Sequence, residues 1–544
     1  MNPRADFALV PRPASVTPAP GRFTLDATTA LRCGPGTGAA AALLRELLAP
    51  ATGLPLPPSP DGRVSLLLDP DEGGAEGYAL TVTPEGVELR AARPEGLLHG
   101  IQTLRQLLPP EALAAGPYRR TGWDLPCVRI RDRPRFAWRG AMLDVARHFQ
   151  PAAYLRRFVD LLALHRLNVL HLHLTDDQGW RMPVAAYPLL TEIGGRRRES
   201  EGDGIPHEGA YTRAELVDLV AYAARRGITV VPEIEMPGHT RAALAAYPGL
   251  GTRPGTRLET WTRWGICEDV LGVHDGALDF CRTVLEEVTG VFPAPYVHLG
   301  GDECPRTAWE ASPAARARVA AERLAGPQAL HGWFLRTVGA HLTALGRRPL
   351  CWTETGGELP PGFTAMAWLD PAHGRTAALR GHDVVMAPFR STYLDLPQSA
   401  DPAEPRARDG IVDLRAAYDN DPAPAHWEPG AAARVLGTQA QLWTEYAATP
   451  ERLEYLAFPR LCALAESAWS AHRDRPDFLR RLAAHRPRLA ALGVRAQGPY
   501  APPAPAPPAP APPAPVPPGA GPSRPAGPTA GAGTSGPYPV RAAP

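Results

Sequence analysis

The sequence predicts an α/β protein in which a (β/α)8 TIM barrel follows a small α+β domain. Three observations carry this. After Arg133 an apolar strand, a polar break and an amphipathic helix recur until eight strands have passed, within about 360 residues. Charged and aromatic residues gather where those strands end. Before Arg133, strand and helix patterns mix without strict alternation.

In the first region, residues 1–133, RVSLLLD, YALTV and VELRA read as strands. The last two are joined by Thr83-Pro84-Glu85-Gly86, a hairpin turn. AAALLRELLA from Ala40 and GLLHGIQTLRQLL from Gly96 read as helices, the second with Leu97, Ile101, Leu104 and Leu108 on one face. His99, alone on that helix, is expected at a surface or interface.

The barrel, residues 134–496, begins with RGAMLDVARH at Arg139. It continues with LNVLHLHLTDD at Leu167, ITVVPEIEM at Ile228, YVHLGGDE at Tyr296 and RPLCWTE at Arg348. FTAMAWL at Phe363, DVVMAPF at Asp383 and VLGTQAQLWTE at Val435 complete the eight. Amphipathic helices are clearest at AAYLRRFVDLLALHR, TRAELVDLVAYAARRG, GALDFCRTVLEEVTGVF and LHGWFLRTVGAHLTALG, and ERLEYLAFPRLCALAESAW is expected to close the ring. From 497 to 544 the chain is Pro- and Ala-rich, with 18 Pro in its last 47 residues. Such a segment has little to bury, and a disordered or stiff tail is expected.

Composition removes several chemistries. All 57 Lys+Arg residues are Arg, so Schiff-base catalysis and the lysine-dependent phosphate cradles are excluded. They balance 56 Asp+Glu, which argues against a nucleic-acid or anionic-membrane partner held by bulk charge. The seven Cys are scattered without a CxxC, so neither a disulfide framework nor a structural zinc site is expected. The N-terminus lacks the basic start and apolar run of a secretory signal, and no 18-residue apolar run occurs, so a cytoplasmic protein is expected, with secretion open if the start site is misassigned. The sequence sets no oligomeric state.

Arg147, Asp176, Asp177, Glu235, Asp302, Glu303, Trp352, Trp368 and Glu445 fall at or just after strand ends, on the face where the loops of such barrels converge on one pocket. In His-Leu-Gly-Gly-Asp-Glu, 298–303, a Gly pair lets backbone approach a ligand and adjacent carboxylates follow. Neighbouring side chains diverge, so this pair suits an acid and a helper rather than two carboxylates flanking a glycosidic bond. His171 and His173 share one face of the second strand, as a metal pair would. Further His ligands on strands five to eight are lacking and there is no Lys to modify, so hydrogen-bonded barrel histidines are expected, with no metal and no cofactor. Trp352, Trp368 and Trp443 at strand ends could wall a sugar ring, while Trp333 on its helix is expected in the core.

RGAMLDVARHF, HLHLTDDQGWR, VVPEIEMPGH, HLGGDE, YLD and LWTE, in this order, resemble glycoside hydrolase family 20, the β-N-acetylhexosaminidases, over about residues 1 to 490. The resemblance implies an exo-acting, retaining enzyme whose nucleophile is the substrate's own 2-acetamido oxygen. Glu303 would be the general acid and then the base, and Asp302 would orient the acetamido N–H and stabilise the developing oxazolinium. Arg147, Asp395 and Glu445 would bind ring hydroxyls, and Tyr393 the acetamido oxygen. Trp352, Trp368 and Trp443 would enclose the acetamido methyl, and Asp176 and His239 would form a buried relay to the acid. The implied partner is an N-acetylhexosamine-terminated oligosaccharide or glycoconjugate.

Two departures stand out. Glu235 occupies a position commonly Asp in the family, and no Trp follows Tyr393 before Asp421, where a platform Trp is usual. An inactive carbohydrate-binding protein would lack catalytic acids, which are present here. A metal-dependent amidohydrolase would need ligands this chain lacks.

Overall fold

A computed structural model describes residues 7–498. The expected tail lies, from residue 499 on, outside the described residues.

The N-terminal region forms one six-stranded sheet, in the order Ser15–Leu25, Trp123–Asp132, Tyr78–Thr83, Gly86–Ala91, Val64–Leu68, Leu31–Cys33. The expected hairpin is present, with Val82 opposite Val87 and Thr83 opposite Gly86. Its alternating pattern fits, one face of each strand being buried. Helices Gly38–Thr52 and Pro94–Leu107 bury Leu44, Leu48, Leu97, Ile101 and Leu104 in one core with Leu66, Leu80, Leu89 and Ile130 of the sheet. Three strands were not expected from sequence. Ser15–Leu25 carries Pro18, Pro20 and Gly21, which break the alternation. The chain accommodates them by lying at the sheet edge with a register shift between Pro18 and Arg22. Trp123–Asp132 contains Pro126, and Leu31–Cys33 is too short to show a period.

His99 proves to be an interface residue. It is buried, its Nε2 is 3.0 Å from Glu76 Oε1, and its ring meets Trp469, at the end of a barrel helix, edge-on at 5.0 Å. Arg139 of the first barrel strand donates to both Glu76 oxygens, at 3.0 and 2.6 Å. This charged cluster joins the small domain to the barrel.

All eight expected barrel strands form. They are Trp138–Asp144, Val169–His173, Thr229–Glu233, Tyr296–His298, Arg348–Thr353, Thr364–Ala367, Val384–Met386 and Val435–Leu442, each parallel to the next and closed from last to first. Strands buried on both faces can read as continuous apolar runs, which is why DVVM was legible without alternation; in Val169–His173 the alternating His171 and His173 are buried as well. The eighth strand is irregular at Gly437 (φ +152°), where a side-chain Cβ would lie 1.8 Å from the Trp138 carbonyl.

The helices follow the expected pattern, as at Arg213–Ala224, which starts at a Thr212/Glu215 capping box. One correction arises: ERLEYLAFPRLCALAESAW forms two helices, Pro450–Ala457 and Arg460–Trp469. Pro459 has no N–H to continue the first and holds Phe458 extended. No helix among the described residues is long and apolar enough to cross a membrane.

Candidate active site

The mouth at the C-terminal ends of the strands brings most of the expected residues into contact. The fourth strand ends at His298, and the chain turns through Gly300 (φ +66°) and Gly301 (φ +90°) to Asp302 and Glu303. A Cβ on Gly300 would lie 1.7 Å from Glu235 Oε2, so only glycine lets this turn pass the third-strand acid. Glu303 itself is left-handed at φ +47°, a costly conformation for a residue with a side chain, and of the kind held at working sites.

Behind Glu303 stands a buried charge cluster. His239, also left-handed at φ +51°, places Nε2 3.5 Å from Glu303 Oε2. Its Nδ1 lies 3.1 Å from Asp177 Oδ2 and 3.3 Å from Asp176 Oδ1. Burial opposes charge on His239, but Asp176, Asp177 and Glu303 outweigh it and hold the imidazole well above its ordinary pKa. Asp176 and His239, expected as a relay, are thus in contact, and Asp177, which the sequence placed only among strand-end acids, lies nearer to the ring. Asp176 also takes Arg147 Nη2 at 2.9 Å, and these cations overcome burial to hold its carboxyl well below the usual range. Burial would raise Glu303, yet His239, with Arg408 and Arg147 beyond it, keeps it below its ordinary value.

Asp302 behaves oppositely. Burial and the carboxylates of Glu303, Glu233 and Glu354, against the pull of His239, push it up to about 8. Its Oδ1 is buried without a hydrogen-bond partner in the protein, as are Glu235 Oε2 and both oxygens of Asp395. Such acceptors are costly unless something pairs with them, and their convergence on one mouth marks where a polar ligand fits.

Aromatic rings line the same mouth. Trp352 and Trp443 lie 6.1 Å apart at 40°, Tyr393 is 6.4 Å from Trp443, and Trp368 is 6.2 Å from Tyr393 at 30°. Arg147 lies 4.9 Å from the Trp443 ring, and its Nε donates to Gln178 at 3.0 Å. Its guanidinium is thus fixed by Asp176, Gln178 and Trp443 together. Asp395 is buried after the seventh strand, and burial lifts its carboxyl to about 7, with Arg408 Nη1 at 3.9 Å as the nearest cation. Glu445, half-buried, follows Trp443 and Thr444 just beyond the eighth strand.

Several residues of the site escaped the sequence argument. Arg408 lies in the long loop after the seventh strand, far from any strand end, and rests 5.4 Å from the Phe389 ring. Glu354 accepts from the Glu303 backbone N–H at 3.3 Å, and a Glu two residues past Trp352 in a strand-end motif could have signalled it. His171 and His173 are hydrogen-bonded within the barrel, to Gln439 and to Glu233 and Asp176 respectively.

A closed parallel barrel whose mouth joins adjacent carboxylates, a histidine relay and an aromatic wall defines a sugar-processing (β/α)8 hydrolase. Comparison with known proteins narrows this. Residues 136–472 match the profile described as "Glycosyl hydrolase family 20, catalytic domain", and residues 6–133 match "Glycosyl hydrolase family 20, domain 2". The chain belongs to glycosyl hydrolase family 20. It is 40% identical over 412 residues to a beta-hexosaminidase of Porphyromonas gingivalis, covering 75% of this chain and 52% of that protein, so it spans about half that relative's length. It is 34% identical over 517 residues to a beta-N-acetylhexosaminidase of Cellulomonas fimi, covering 90% of this chain and 96% of that one. The solved exo beta-N-acetylglucosaminidase of Vibrio harveyi, in complex with N-acetylglucosamine, superposes with a TM-score of 0.83 at 33% identity, over 91% of this chain and 79% of that chain.

Proposed function

We propose that the protein is an exo-acting, retaining β-N-acetylhexosaminidase that removes terminal β-linked GlcNAc or GalNAc from glycans or chitooligosaccharides by substrate-assisted catalysis. The observation that carries this is the Asp302–Glu303 pair, in which one carboxyl is held high and the other is backed by a charged histidine.

The chemistry needs one proton on the pair. Glu303, 32% exposed at the mouth, delivers it to the glycosidic oxygen as that bond breaks. The substrate's acetamido oxygen attacks the anomeric carbon from the other face, closing an oxazolinium ring. Asp302 accepts from the acetamido N–H and, once ionised, offsets the positive charge that forms there. The charge of the substrate's ring thus favours moving the shared proton from Asp302 to Glu303. Glu303, now ionised, takes a proton from water, which opens the oxazolinium and returns the β configuration. His239 stabilises this ionised form. Arg147, Asp395 and Glu445 take ring hydroxyls, Tyr393 the acetamido oxygen, and Trp352, Trp368 and Trp443 enclose the acetamido methyl.

Turnover of nitrophenyl N-acetyl-β-glucosaminide and its galactosaminide counterpart tests the proposal. Hydrolysis of either with retention, read by NMR, supports it. Absence of turnover of both, and of chitobiose, overturns it.

A further inference from the structure

Glu233 ends the third barrel strand, is fully buried, and lies beneath the groups that would touch a sugar. Its carboxylate faces ring nitrogens from three other strands. Oε1 accepts the Trp352 Nε1–H at 2.7 Å and lies 2.7 Å from His298 Nδ1. Oε2 lies 2.5 Å from His173 Nδ1 and 3.1 Å from His171 Nε2. His173 presents its other nitrogen to Asp176 Oδ2 at 3.1 Å. An imidazole with a carboxylate at each nitrogen donates from both, so His173 is an imidazolium. Burial works against that charge, but Glu233 and Asp176 hold its pKa up to about 10. Asp176 in turn carries Arg147 and His239, and His239 faces Glu303. Charges therefore alternate through five groups, from Glu233 through His173, Asp176 and His239 to Glu303.

We propose that Glu233 is a positioning residue that sets two sides of the sugar site at once. It fixes the Trp352 indole directly, and by holding His173 as an imidazolium it fixes Asp176 as the anchor shared by Arg147 and His239. Glu303 has no direct contact with Glu233, so the effect on the acid is carried entirely through the intervening groups. No neutral side chain of similar size can replace this one. An amide has one acceptor oxygen, and its NH2 group would oppose either the Trp352 N–H or the His173 Nδ1–H. Other titratable groups facing this cluster are His171, His298, Asp144 on the first strand, Cys351 on the fifth, and Glu235 and Asp302 at the mouth.

The inference rests on the hexosaminidase assignment, and the test separates the two. Wild-type turnover of the nitrophenyl glycoside tests the assignment. Glu233→Gln, compared with wild type for kcat, KM and the pH profile of kcat/KM, tests the inference. Expected is a kcat at least tenfold lower with KM within threefold of wild type. Without Glu233, burial is opposed by Asp176 and Asp144 alone, so the His173 pKa falls from about 10 and kcat/KM acquires a further ionisation in the range below that value. It falls as pH rises through that range, because a neutral His173 can take the tautomer that leaves Asp176 without its donor. Glu233→Asp keeps the charge but is too short to reach both Trp352 and His173. It is expected to lower kcat without the new ionisation, and it carries the test if the Gln variant does not fold. Active wild type together with a Gln variant of wild-type kcat, or one whose kcat falls with an unaltered pH profile, overturns the inference. So does a Glu233→Asp variant with wild-type kcat.

Discussion

His239 Nε2 lies 3.5 Å from Glu303 Oε2, and both residues hold left-handed backbone, at φ +51° and +47°. Two strained positions face each other across one contact, each held by the barrel rather than by local preference. The contact explains why a mostly buried glutamate stays below its ordinary pKa.

His239→Asn is the replacement that isolates this contact, because Asn tolerates left-handed backbone better than most side chains. Losing the cation leaves only the more distant Arg408 and Arg147 against burial, so the Glu303 pKa rises. The alkaline limb of kcat/KM should move to higher pH, while kcat falls at least about tenfold because ionised Glu303 loses its support. A pH–rate profile with an unmoved alkaline limb would show that His239 does not govern the acid.

Glu303→Gln and Asp302→Asn should both lose about 10²-fold or more in kcat, with different dependence on the leaving group. The Gln variant cannot donate to the glycosidic oxygen, so its deficit should be smaller on a dinitrophenyl glycoside, which departs without a proton, than on chitobiose. The Asn variant lacks the charge that offsets the oxazolinium, a deficit common to both substrates. Steady-state kinetics on the pair of substrates distinguishes them, and equal leaving-group dependence would refute the division of roles.

Gly300→Ala should lower stability by about 2 kcal/mol or more and abolish turnover, since its Cβ meets Glu235 Oε2 at 1.7 Å and its φ is +66°. Glu235→Asp withdraws that carboxylate by one methylene, so the double variant should recover part of the loss. Thermal melts of the two single variants and the double variant give the coupling directly. Additive losses would mean that the glycine is required for its backbone alone.

The barrel strands were legible because burial on both faces leaves largely apolar runs, and the site acids because they follow those runs within a few residues. Neither signal reaches Ser15–Leu25, where Pro18 and Pro20 erase the alternation, nor the division at Pro459 of two helices that the sequence runs together. The site was legible where residues belong to strand ends, as with Asp302, Glu303 and Trp352. It was not legible for Arg408, which a long loop returns to the mouth, or for Glu233, whose partners His171, His173 and His298 are set by barrel closure and not by spacing. Sequence periodicity records which face a residue occupies, and pairing across strands adds the partner.

Asp395→Asn should stabilise the free protein at alkaline pH while weakening sugar binding. Burial raises this carboxyl to about 7 from an ordinary value of 3.8, and both its oxygens lack partners in the protein. An acid whose folded pKa is raised binds its proton more tightly when folded, so stability is intact below about pH 4 and is lost as pH rises towards 7. The full penalty above pH 7 is at most about 4 kcal/mol, with the attraction of Arg408 at 3.9 Å already counted in it. The Asn variant cannot ionise, so its melting temperature should exceed that of wild type at pH 8 and match it near pH 3. Its KM should rise about tenfold, because a hydroxyl loses a charged acceptor. Equal melting curves for the two proteins at pH 8 would mean that the Asp395 carboxylate is already paid for in the free enzyme, and that it contributes affinity without any cost in stability.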